Sequence, residues 1–182
     1  MLKRIVAVLL LVLSLSLIHP SSASAAALNS FADTTDGYEF LYPNGWVQVK
    51  VNNGPDVVFH DIIEMSENVS VVVSPVPDGK SLAELGTPGE VGYKLGTNAI
   101  APPDSGRTAE LVNAASREVN GKTYYLLEYA VKFANNNPLR HNLASVAVSR
   151  GKLFTFNASI PERRWNRIKR TMQQVVNSFT VY

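Results

Sequence analysis

From Tyr38 onward, apolar side chains recur at every second position in short runs separated by turn residues. Tyr38, Phe40 and Tyr42 form the first such row. Beyond the turn Pro43-Asn44-Gly45 a second strand opens at Trp46, with Val47, Val49 and Val51 in phase. Val57 to His60 and Asn68 to Ser74 read as the next pair, the latter with Val69, Val71 and Val73 on one face. A period of two is the mark of a strand with one buried face. Asn120-Gly121 then leads into the row Tyr125, Leu127, Tyr129, Val131 and Phe133. Both central residues of a type I′ hairpin need φ > 0, which Asn-Gly accepts. Arg150-Gly151-Lys152 is a further short link, from Asn142–Ser149 to Leu153–Ser159. Links this short force antiparallel pairing, because parallel strands need long crossovers.

Two stretches switch to the helical period. Thr87-Pro88-Gly89-Glu90 has the form of a capping box with Pro at the first helical position, and predicts a helix to about Ala99. Gly89, Gly92 and Gly96 weaken that helix by roughly 1 kcal/mol each relative to Ala. Ile100 to Arg107, with Pro102, Pro103 and Gly106, reads as a loop. The stronger helix starts near Pro161, where Trp165, Ile168, Met172, Val175, Val176 and Phe179 make one apolar stripe. A stripe of this kind packs on a sheet. The expected architecture is α+β: a central antiparallel sheet flanked by helices, an α/β/α sandwich forming one domain over residues 28–182.

The first 27 residues follow a different pattern. Lys3 and Arg4 precede the uncharged, mostly apolar run Ile5–Ile18, and Ala23-Ser24-Ala25 offers a small-residue cleavage site. That layout is a secretory signal peptide, with cleavage expected after Ala25 or Ala27. The apolar run is short of the roughly 20 residues a spanning helix needs. Its removal changes the charge picture. The whole chain has 17 Lys plus Arg against 15 Asp plus Glu, and the leader takes two cations and no acid, leaving 15 against 15. A neutral chain is poorly suited to nucleic acid, whose binding rests on many phosphate contacts. Cysteine is absent, which excludes thiol catalysis, iron–sulfur ligation and cysteine-based zinc sites.

Chemistry-bearing motifs are few. Gly121-Lys122-Thr123 lacks the Gly five residues upstream that a phosphate loop requires, since Ser116 stands there. A Ser-His-Asp arrangement in an exported hydrolase would have to use His60 or His141, and neither has a nucleophile motif beside it. His60, Asp61 and Glu64 fall within five residues, a donor set that suits zinc better than calcium. The same cluster also reads as a solvated acidic turn that guards a sheet edge. The last helix carries Arg163, Arg164, Arg167, Lys169 and Arg170 off its apolar stripe, in its first half. Cations there are mildly disfavoured by the helix dipole, so local stability does not account for them. They fit docking to an acidic protein surface, where guanidinium forks meet carboxylates. The loops Pro43–Trp46 and Ile100–Arg107 are the fallback surface.

Four ordered segments carry a resemblance. They are Asp36-Gly37-Tyr38-Glu39-Phe40-Leu41-Tyr42-Pro43-Asn44-Gly45-Trp46, then Arg140–Val148, then Arg150–Ser159, and a basic helix ending Val176-Asn177-Ser178-Phe179. In this order they resemble the PsbP family of extrinsic lumenal photosystem II proteins, closest to its cyanobacterial branch, over about Phe31 to Tyr182. The resemblance implies a sheet flanked by helices and a non-enzymatic, monomeric protein peripheral to the thylakoid membrane in the lumen. It implies photosystem II subunits as partners, as a subunit or an assembly factor. It also implies support of the oxygen-evolving complex and its calcium and chloride, so calcium enters only by this route. Members of the cyanobacterial branch place a lipid-bearing Cys after the signal. No Cys stands here, so a lipid anchor does not carry over and release as a soluble protein is expected.

Overall fold

The computed structural model describes residues 27–182 apart from 53, 78 and 135–138. The apolar leader and its cleavage motif lie outside the described residues. Ten strands form two antiparallel sheets. The larger has the order β3-β4-β5-β9-β8-β7-β6, with β3 at Trp46–Val49, β4 at Val57–Asp61, β5 at Asn68–Pro75, β6 at Arg107–Val119, β7 at Lys122–Phe133, β8 at Arg140–Ser149 and β9 at Lys152–Pro161. It consists of two meanders, β3-β4-β5 and β6-β7-β8-β9, joined along one seam where Asn68–Pro75 pairs with Lys152–Ser159. The smaller sheet, order β1-β2-β10, holds Leu28–Asp33, Tyr38–Pro43 and Thr180–Val181.

The central antiparallel sheet flanked by helices is as expected, and a second, smaller sheet adds to it. The turn at Pro43-Asn44-Gly45 does not fold β3 back on β2. It carries the chain from the small sheet to the edge of the large one. The phase of β3 is also reversed, since Trp46 is buried and Val47 is exposed. The Asn120-Gly121 hairpin takes the expected shape, with positive φ at both residues, and Arg150 and Gly151 adopt the same geometry.

Both faces of the large sheet are covered. On one lie the small sheet and α3 (Glu162–Ser178), whose Trp165, Met172, Val175 and Val176 meet Phe154, Phe156, Ala158 and Ile160 of β9 and Val69 and Val71 of β5. Phe179, just past α3, stacks on Phe156 with ring centroids 5.2 Å apart. On the other lie α1 (Leu82–Leu85) and α2 (Pro88–Leu95), whose Leu82 and Val91 pack on Tyr125, Leu127, Tyr129 and Val131. Thr87 caps α2 as expected, with its hydroxyl accepting from the Glu90 N–H and the Glu90 carboxylate accepting from the Thr87 N–H. The α-helix ends at Leu95, and Gly96–Ile100 widens into a π turn. Of the three glycines, Gly92 and Gly96 have a packing reason, while a Cβ at Gly89 would meet open space. A Cβ at Gly92 would sit 2.9 Å from Leu111 and 3.1 Å from Leu127, and one at Gly96 would sit 3.2 Å from Tyr129. Backbone and sheet approach too closely for a side chain.

Candidate functional site

The two surface features singled out in the sequence, the acidic turn and the basic helix, meet at one corner of the molecule. The β4–β5 turn closes tightly because Asp61 acts as its cap, its carboxylate accepting from the N–H of Ile63 (2.7 Å) and of Glu64 (2.9 Å). Glu64 then pairs with Arg163, and its carboxylate also takes the Ser66 hydroxyl. Burial alone would raise the Asp61 carboxyl, but the Glu64 and Ile63 N–H groups and the Arg164 guanidinium outweigh it and hold it below the ordinary range. The Glu64 carboxyl is lowered by the Ser66 hydroxyl first, then by Arg163 and Arg164, against the opposing effect of burial.

Glu67 was not among the expected site residues. It is 1% exposed and takes both prongs of Arg164, the second at 3.0 Å. The sequence did contain the signal. Glu67 is in phase with Val69 and Val71, so period two places it on the buried face. A carboxylate there needs a cation, and Arg164 supplies it across the gap to α3. Its guanidinium is in turn held protonated by Glu67, with its pKa raised. Arg140 adds a third tie, donating to the Ser66 carbonyl O and, at 3.0 Å, to the Ser159 hydroxyl. Arg163 and Arg164 therefore have a structural partner each, which corrects the expectation that nothing local explains them.

The remaining cations of α3 are placed differently. At about 100° per residue, Arg163, Arg167 and Arg170 fall within about 60° of one another, roughly opposite Trp165, Met172 and Val176. Arg167 and Arg170 are exposed and make no ion pair within 4.0 Å among the described residues. Lys169 leans over Trp165, its Nζ 5.2 Å from the ring centroid. The other side of the helix start holds His141, which stacks on Trp165 at 4.3 Å and bonds Glu162, with Glu128 3.7 Å away.

Metal and catalytic readings find less support in the geometry. His60 Nδ1 faces the Asp61 carbonyl O at 2.8 Å, and the carboxylates of Asp61 and Glu64 already have the partners named above. The zinc cluster expected from sequence is thus drawn together as an ion-paired turn. Among the described residues, the ligand atoms that lie within 4.8 Å of one another are those of Asp33, Asp36 and Asp56. These too are engaged, by the Thr35 N–H, by Lys152 and by the Tyr38 hydroxyl. Burial first, and then Asp56, raises the Tyr38 phenol far above its usual pKa. Neither histidine has a serine hydroxyl as its partner here. A groove of about 520 Å³ opens beside α2, floored by Ser70, Thr155 and Asn157 and flanked by Leu95, Ile100 and Phe133. It brings neither histidine into its lining.

An antiparallel sheet covered by helices on both faces, with a small second sheet beside the longest helix, is an α+β architecture of the PsbP-like class. The chain belongs to the PsbP family, whose model matches residues 26–181. It is 53% identical to CyanoP of Thermosynechococcus vestitus over 88% of this chain and 89% of that one. To CyanoP of Synechocystis it is 45% identical over the whole chain and 97% of the relative. The solution structure of the Synechocystis protein superposes with a TM-score of 0.74, covering 92% of this chain and 99% of that one. The yeast Ran-binding protein Mog1p, at 11% identity and a TM-score of 0.50, shares the fold alone over 86% of this chain and 96% of its own.

Proposed function

We propose that this chain is a non-enzymatic extrinsic or assembly protein of photosystem II in the thylakoid lumen, docking as a monomer through the outer crest of α3. The observation that carries the proposal is the crest itself. Arg167 and Arg170, continuing the line of the clasped Arg163, lie on the side of α3 opposite its buried stripe, in a domain whose charges balance overall. Paired acids on a partner are what such a row recognises. Family membership and the similarity to two cyanobacterial CyanoP proteins support photosystem II as that partner. Within this role the chain supports the oxygen-evolving complex and its retention of calcium and chloride, ions that belong to the photosystem. Nothing in the role requires this chain to hold a metal itself.

Binding to photosystem II preparations tests the proposal. Exposed charges are screened over about 8 Å at physiological salt, so affinity falls as salt rises. Charge reversal at Arg167 and Arg170 slows association without changing the fold. If the doubly reversed protein associates at the wild-type rate in low salt, the crest is only a solvated surface and the proposal fails.

A further inference from the structure

Beside the basic crest, the β4–β5 turn holds three large apolar side chains out in solvent: Ile62 at 58% exposure, Ile63 at 90% and Met65 at 71%. Single exposed apolar residues are ordinary on protein surfaces. Three within four positions on one tight turn are not, and such patches mark interaction sites. A polar turn would close the hairpin equally well.

The turn is also held still. The Asp61 carboxylate fixes the backbone at Ile63 and Glu64, and the Glu67 N–H reaches the Glu64 carbonyl O at 2.8 Å. Arg163 holds Glu64, Arg164 holds Glu67, and Arg140 holds the Ser66 carbonyl. Ile63 and Met65 therefore stand next to residues tied to α3 or to β8, and Ile62 stands next to the Asp61 cap. Ordering that is already complete before association is not charged against binding, which is how preorganised contacts gain affinity. Binding energy at an interface concentrates in a few central side chains that their surroundings shield from water.

We infer that Ile62, Ile63 and Met65 are the short-range anchor of the docking face, seated in an apolar socket on a protein partner whose rim is acidic. The inference rests on the reading of α3 as the docking helix and adds what that reading lacks, a contact that survives salt. The acidic rim follows from charge complementarity. Arg163 touches the turn itself, and Arg167 and Arg170 continue the row over about the next 10 Å of helix. A protein socket fits better than a lipid surface. Helices that lie on membranes present an apolar face to the bilayer, whereas the apolar face of α3 is buried in the core. A fluid bilayer also gains nothing from a rigid tip, while a shaped socket does.

A photo-crosslinking residue at position 63, with Tyr93 on α2 (69% exposed) as the control position, gives the primary test in solubilised thylakoids. A protein adduct from position 63 and not from 93, mapping beside acidic residues of the captured chain, is the expected result. Lipid adducts alone, or no adduct, overturn the inference. The paired measurement uses Ile63→Ser with Met65→Ser on photosystem II preparations. Each side chain contributes roughly a factor of ten, so dissociation speeds up tenfold or more while the association rate and the thermal midpoint hold. Wild-type dissociation in that variant, alongside slowed association of the Arg167 and Arg170 reversal, removes the anchor and leaves the helix reading standing. Loss of binding to anionic-lipid vesicles in the same variant assigns the tip to a membrane and overturns the socket.

Discussion

The two covers of the large sheet are attached in opposite ways. Helix α3 is attached by volume: four buried side chains fill the space over β5 and β9, and ion pairs at its first turn lock its start to the β4–β5 turn. Helix α2 is attached by nearness, with its backbone so close that the Tyr129 hydroxyl donates to the Gly92 carbonyl O at 2.7 Å, and the Tyr125 hydroxyl donates to the Gly86 carbonyl O between α1 and α2 at 2.9 Å. A helix held by its own side chains keeps an outer face that is free to carry function. A helix held through its backbone depends on what is missing from its inner face. The arginines of α3 are therefore of two kinds, and only those away from the clasp are available to a partner.

The largest effect expected from this contrast is at Arg164. Its truncation to Ala leaves the buried Glu67 carboxylate without a cation, and a broken buried pair costs about 3–5 kcal/mol. Denaturant unfolding of Arg164→Ala should show that loss, and replacing both partners by Leu should recover most of it. If Arg164→Ala is as stable as the wild type, the clasp does not hold α3.

On the opposite cover, Gly92→Ala pushes a methyl group against Leu111 and Leu127. Helix propensity gains up to about 1 kcal/mol, while overpacking costs roughly 1–3 kcal/mol. A net loss in thermal stability is expected. A stabilised variant would show that α2 is not seated by close approach.

Removing the α2 cap by Thr87→Ala should cost about 1 kcal/mol, read as faster amide exchange over Pro88–Leu95 with α3 unaffected. The most local effect is that of acid. Asp61 and Glu64 have folded pKa values below the ordinary range, so their contribution is complete above about pH 4. It is lost as pH falls through the lowered folded values. Amides of Ile63 and Glu64 should lose protection in that window before β9 does. Unchanged protection once both carboxyls are protonated would mean the Asp61 cap is not what closes the turn.

Much of this was legible in the chain. The type I′ hairpin at Asn120-Gly121, the short antiparallel link at Arg150-Gly151, the Thr87 box and the Trp165–Val176 stripe were visible because each is a local rule with one outcome. Strand β6 was not visible. Its Ala, Asn, Ser and Glu residues carry weak strand preference, and it forms because β7 offers a complete edge, with Arg107–Val119 paired opposite Lys122–Phe133. The valines of β3 misled because Trp46, out of phase with them, takes the buried position. In the site, the row of arginines was legible and the division among them was not. That division depends on Glu67, nearly a hundred positions earlier, and on a turn whose acids looked like metal ligands in one dimension.

The seam between the two meanders also sets an order of events. Strands β6 to β9 are each hairpin-linked to the next and can zip up from local contacts, but β5 must wait for β9, and Val69 finds Ala158 only across a closure of almost ninety residues. Pairings of such long range are slow. The first meander therefore spends the early part of folding with one edge unmatched, and the rate at which the molecule becomes whole is governed at β5 and β9, the seam that α3 covers.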